Sequence, residues 1–218
     1  MPSRYSNDLA DISSHAFESL TLRNQAREEA LPASREVIRF SANAIRAVHR
    51  GDYDDAQALL ARAAKRLEDT EAIREVAPEI YFAGFMTDAR KEYTEANVTL
   101  AVLSGKKLPN PQDLGVEPST FLNGMAEVIG EVRRYILDSL RRDSFENCQE
   151  YMDIMDEIYS ILVTVDFPEA VTGGLRHSTD QMRGVLERTR GDLTMALRQH
   201  KLEAQLAQWE HHQTKPSD

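Results

Sequence analysis

The stretch Ser34-Arg-Glu-Val-Ile-Arg-Phe-Ser-Ala-Asn-Ala-Ile-Arg-Ala-Val-His-Arg50 carries the period of an α-helix. At about 100° per residue, Val37, Ile38, Ala44, Ile45 and Val48 share one face. Arg35, Arg39, Arg46 and Arg50 fall within about 60° of one another on a second face. The same period recurs outward in both directions, and no segment alternates apolar and polar residues as several paired strands would. The sequence therefore predicts an all-α fold. A first helix spans about Ser6 to Arg50, with Pro32 as a point where it can break. Gly51-Asp52 ends it, and Asp52 or Asp54 caps a second helix that runs to about Asp69. A third runs from Pro78 to Gly105. The segment from Lys106 to Pro118, with three prolines and a glycine, is a loop. Further helices cover about Ser119 to Arg142, Ser144 to Val165 and Ser178 to Trp209, and Asp166 to Gly174 is a break. No internal repeat, low-complexity tract or domain boundary stands out. The chain reads as one domain over residues 1–218, with a tail that frays from about residue 211.

Composition narrows the function. Of the 218 residues, 41% are hydrophobic and 28% charged, which suits a globular protein rather than a disordered one. No apolar run approaches the ~20 residues of a membrane span. The N-terminus lacks the apolar core of a signal peptide, so a soluble, cytoplasmic protein without a membrane partner is expected. A single cysteine, Cys148, excludes an internal disulfide framework and a cysteine-rich zinc site. It lies on a helix with no histidine near it in sequence and reads as a packed thiol. Phosphate-cradling glycine loops and the Gly-x-Ser-x-Gly elbow of serine hydrolases are absent. His211-His212 has no third ligand beside it and reads as solvated surface. The net charge of −10 disfavours non-specific adhesion to nucleic acid but leaves room for a local basic stripe.

Carboxylates and arginines remain. On the third helix Asp88, Glu92, Glu95 and Thr99 fall within about 60° of one another. They border an apolar stripe of Phe82, Phe85, Met86, Tyr93, Ala96 and Leu100. On the fourth, Glu127 and Glu131 are one turn apart, with Arg134 and Asp138 on the same face and Met125, Val128, Ile129, Val132 and Ile136 on another. If the two helices are neighbours, two carboxylates from each converge into an all-oxygen site of the kind Mg²⁺ or Mn²⁺ prefers. The competing reading is a solvated acidic face. The arginines of the first helix, continued by Arg62, Lys65 and Arg66, can track a phosphate backbone or form local pairs with residues such as Glu36. Leu186, Leu193, Met195, Leu197, Leu202 and Leu206 on the last helix fit core packing, with a length that also allows pairing with another subunit.

Three segments together resemble one family. Phe82…Lys91-Glu-Tyr-Thr-Glu-Ala96 resembles the Glu-aromatic-x-Glu-Ala motif of the translin/Trax family. Phe121-Leu-Asn-Gly-Met-Ala-Glu-Val-Ile-Gly-Glu-Val-Arg-Arg134 is similar to that family's Tyr-Leu-x-Gly-x-x-Asp-x-x-Gly-Glu-Leu-x-Arg helix, and Ser34…His49-Arg50 to its early Leu-His-Arg helix. The resemblance runs over about residues 30 to 200 in the family's order. It implies a translin-like antiparallel helical bundle. Translin binds single-stranded RNA or DNA and lacks the acidic pair on the third helix, whereas Trax carries it and supplies a Mg²⁺-dependent endoribonuclease activity. Glu92 and Glu95 match the first two Trax carboxylates, Glu127 falls at the third, an aspartate in the family, and Glu131 at the glutamate of Gly-Glu-Leu. Glu127 is one methylene longer than the family's residue.

The resemblance thus implies a Trax-like, metal-dependent endoribonuclease acting on single-stranded or short RNA inside a homo-oligomeric shell, an octamer as in the compact archaeal members. Glu92, Glu95 and Glu127 would act in catalysis and hold Mg²⁺ or Mn²⁺, with Glu131 as a further ligand or a base, and Arg35, Arg39, Arg46 and Arg50 would bind the nucleic acid. The alternatives are a translin-like protein that holds single-stranded RNA or DNA without cutting it, and a helical scaffold with no nucleic-acid role.

Overall fold

A computed structural model describes residues 3–213, which are helical almost throughout and contain no strand. The side chains of His211 and His212 and the tail from residue 214 lie outside the described residues. Six long helices carry the fold: α1 (Ser6–Arg50), α2 (Tyr53–Glu68), α5 (Gly84–Ser104), α7 (Pro118–Leu140), α8 (Cys148–Leu162) and α10 (Leu175–Gln213). Four single turns separate them: α3 (Ile73–Val76), α4 (Pro78–Tyr81), α6 (Pro111–Leu114) and α9 (Glu169–Thr172). The chain divides into two compact units at Gly124/Met125, and that division falls within the continuous helix α7.

In the N-terminal unit α1 packs on α2 and α5. The buried face of α1 is built from small and β-branched residues, among them Ala30, Ala33, Val37, Ala44, Ala47 and Val48. Such residues let helices approach closely and leave no long side chains to order. Gly51, at φ 81°, ends α1 in a left-handed turn, and the chain reverses into α2. Arg66 reaches back from α2 to Glu36 of α1 at 2.6 Å. The Tyr53 hydroxyl donates to the Leu103 carbonyl at 2.9 Å, near the C-terminal end of α5, where helical carbonyls lack intrahelical partners.

Three local expectations are corrected. Pro32 does not break α1: it sits on the exposed side, while Ala30, Ala33 and Ser34 hold the opposite side in the core. Asp52 occupies the N-cap of α2 without a side-chain cap, because its carboxylate is taken by Arg50 at 3.0 Å. The third helix does not run unbroken from Pro78. Ala83 is extended (φ −63°, ψ 151°), so α4 stops at Tyr81, α5 starts at Gly84, and Phe82 is left exposed outside the apolar stripe.

In the C-terminal unit α8 packs on α10 through Met152, Met155, Ile158 and Leu162, and Leu186 and Leu193 of α10 are equally buried. Polar bonds fix the register. Arg133 donates to Thr189 Oγ1 and Asp192, both at 2.9 Å, and Arg190 reaches both oxygens of Asp156 at 2.6 and 2.7 Å. Beyond Leu193, Met195, Leu202, Leu206 and Trp209 are exposed.

The first turns of α7 approach α5 tightly at one glycine. A Cβ built on Gly124 would stand 2.8 Å from the Lys91 carbonyl oxygen and 2.8 Å from Thr94 Cβ. Gly130, two turns on, has open space around it. Gly124→Ala is therefore expected to destabilise the protein by about 1–3 kcal/mol through overpacking. Gly130→Ala should stabilise it by about 0.5–1 kcal/mol through helix propensity. Thermal denaturation of the two variants checks both signs. Cys148 is fully buried, and burial pushes its thiol pKa up. The native protein should react with DTNB on the order of 100-fold more slowly than the denatured chain, as a stopped-flow trace would show.

Candidate metal centre

Glu92 and Glu95 project from one side of α5, three residues apart. Glu95 is only 8% exposed, so its carboxylate lies at the edge of the core rather than on a solvated face. Glu127 lies on α7 one turn beyond Gly124, and Gly124 meets α5 at Lys91 and Thr94, the residues that immediately precede Glu92 and Glu95. The glycine contact thus sets the third carboxylate beside the first two. One oxygen from each of Glu92, Glu95 and Glu127 lies within 4.8 Å of the others. The extra methylene of Glu127 does not keep it out of the cluster.

Three carboxylates at this separation repel one another, and the repulsion grows as water is excluded. A cation removes it. The donor set contains only oxygen, with neither sulfur nor imidazole, and so fits a hard divalent ion such as Mg²⁺ or Mn²⁺ rather than zinc. The position of Glu131 differs: one turn further along α7, it stands outside the cluster and pairs with Arg134 at 3.6 Å. Asp88, on the same side of α5, is exposed and also outside it.

The four arginines of α1 are all exposed. Arg39 stands 3.8 Å from Glu36, Arg46 donates to Asn43 at 2.6 Å, and Arg50 pairs with Asp52 and Asp55 at 3.0 and 3.7 Å. On α2, Lys65 and Arg66 are likewise engaged by Glu68, Asp69 and Glu36. Sequence reasoning found the acidic cluster but gave no role to Gly124, or to Arg90 of α5, which is buried at 4% exposure. Gly124 was visible as a glycine inside a helical stripe, a signal of close backbone approach. Arg90 carried no signal, because an arginine two residues before Glu92 reads as surface until its burial is seen.

No family model matches the chain. Over 198 residues it is 28% identical to the uncharacterized protein MJ0175 of Methanocaldococcus jannaschii, covering 90% of this chain and 87% of that one. Among solved structures it is similar to AfC3PO. The match to AfC3PO in its complex with duplex RNA has a TM-score of 0.78 and 36% identity, covering 84% of this chain and 95% of that one. The match to AfC3PO in a separate crystal structure has a TM-score of 0.77 and 35% identity, with the same coverage. Apo-NeC3PO shares the fold, with a TM-score of 0.73 at 16% identity, covering 86% of this chain and 96% of that one. With the fold and more than a third of its aligned residues shared with AfC3PO, the chain belongs to the translin/Trax family, on its Trax-like side.

Proposed function

We propose that the protein is a metal-dependent endoribonuclease acting on single-stranded or short RNA. The observation that carries this reading is the convergence of Glu92, Glu95 and Glu127. RNA as the polymer is supported by AfC3PO, whose structure has been determined with duplex RNA. Glu92, Glu95 and Glu127 would hold Mg²⁺ or Mn²⁺, which supplies Lewis acidity and offsets charge developing on the phosphodiester. Glu131, outside the cluster but one turn away on the same helix, would act as the base for the attacking water. It pairs with Arg134 at 3.6 Å. Exposed arginines of α1 would hold the phosphates.

We further propose a homo-oligomer, with the octamer as the family's model. From Ser6 to Gln25, α1 buries no residue, and Leu9, Ile12, Phe17 and Leu20 stand 60–74% exposed. Twenty residues of helix, about 30 Å, are marginal in water without a packing partner. Met195, Leu202, Leu206 and Trp209 leave a second apolar surface uncovered on α10. Copies of the chain are the partners that cover both.

The deciding experiment is cleavage of labelled single-stranded and short duplex RNA with Mg²⁺, Mn²⁺ or EDTA. Product should appear only with metal. Glu92→Gln and Glu95→Gln should each lower the rate at least about 100-fold while leaving oligomer size and RNA affinity unchanged. Cleavage at the wild-type rate in both variants refutes the assignment, and binding without product under every metal moves the protein to a translin-like role. Arg35→Ala should weaken binding to all RNA sequences alike. It should also reduce the slope of log affinity against log salt by about 0.7, read by fluorescence anisotropy.

A further inference from the structure

A cavity of about 270 Å³ opens in the N-terminal unit, walled by Glu71, Arg74, Tyr81, Arg90, Gln112 and Glu117 among others. Arg90 is 4% exposed, and its surroundings satisfy only part of its guanidinium. Nη1 donates to the Tyr81 carbonyl at 2.8 Å, and the guanidinium lies 3.9 Å from the centre of the Tyr81 ring. Nη2 is buried with no hydrogen-bond partner. A buried cationic donor left unmade is among the costliest polar defects, and native proteins seldom retain one without an acceptor to meet it. Of the two glutamates in the wall, Glu71 already accepts from the Tyr81 hydroxyl at 2.6 Å. Arg74 brings a second cation to the same ring, 5.7 Å from its centre. None of these groups takes part in the carboxylate cluster.

We propose that this cavity binds a phosphate group, with Arg90 Nη2 and Arg74 donating to its oxygens. Guanidinium N–H groups recognise oxyanions, and two of them around one small cavity match a tetrahedral anion. The two glutamates choose among oxyanions. A phosphate near neutral pH is partly protonated and can donate its O–H to Glu117, whereas a carboxylate offers no donor and meets only repulsion there. The group arrives either as the free ion or as the 5′-phosphate end of an oligonucleotide.

The test is thermal unfolding of the full chain in EDTA, so that the carboxylate cluster contributes nothing, at constant ionic strength. Inorganic phosphate at ten times its Kd should raise Tm by about 3 °C over chloride, and acetate should not. Arg74→Ala removes an exposed side chain and leaves the fold intact, so it should abolish the rise. Arg90→Gln should do the same if the variant folds. A 5′-phosphorylated dinucleotide compared with its 5′-hydroxyl counterpart then identifies the source. Stabilisation by the phosphorylated form alone assigns the terminal phosphate, and stabilisation by neither assigns the free ion. No rise with phosphate beyond that with chloride, or a full rise retained in Arg74→Ala, overturns the proposal.

Discussion

The contact on which the candidate site depends is the one Gly124 makes with α5. The glycine there sits against the Lys91 carbonyl and the Thr94 side chain, and the absent Cβ is what makes room for both. A helix is stiff over one turn. Fixing Gly124 therefore fixes Glu127, about 4.5 Å further along the axis, relative to the pair on α5. Had α7 been held off by a methyl group, the three oxygens would have separated, and an acidic cluster would have become three ordinary surface charges. The rest of the N-terminal unit serves this register. Alanines on α1 and α2 keep α5 close, and Tyr53 and Arg66 tie the ends of the hairpin down with bonds of 2.9 and 2.6 Å.

The cluster sets carboxylate beside carboxylate, an arrangement that a bound cation would stabilise. Glu95 is nearly buried, and burying a carboxylate beside two others works against folding. That is the usual condition of a site whose groups are selected for chemistry rather than for stability. Arg90 shows the same pattern on a smaller scale on the other side of α5: a buried charge, stacked on Tyr81 but incompletely bonded.

Much of this was legible in the sequence, and for definite reasons. The six long helices followed from the 3.6-residue period, which runs through each of them, including the stretches of α1 and α10 that bury nothing within the chain. The pair Glu92 and Glu95 was readable because helix geometry alone places them on one side. Their meeting with Glu127 was readable only as a condition, since it depends on which helices are neighbours; spacing allowed it and the family resemblance favoured it. The break at Ala83 was missed because Phe82 and Phe85 fit the apolar period, and period alone does not register an extended residue before a glycine. Single-turn elements such as α6 escaped for a different reason. The capping box between Asn110 and Asp113 stabilises four residues that are too short to show any period.

The net charge of −10 and an RNA-handling role are reconciled by the strength of surface ion pairs. Arg39 and Arg50 are engaged by Glu36, Asp52 and Asp55, but on more than half-exposed side chains such pairs contribute at most about 1 kcal/mol. A phosphate displaces a carboxylate from such a guanidinium at little cost, because one anion replaces another. The resident carboxylates then weaken indiscriminate adhesion to any polyanion, since each contact begins with an exchange rather than a free cation. Contacts formed several at once, as the proposed arginine face of α1 would allow, would still add up. Binding built this way is steeply salt-dependent and favours RNA presented in the correct line over RNA that touches one arginine at a time.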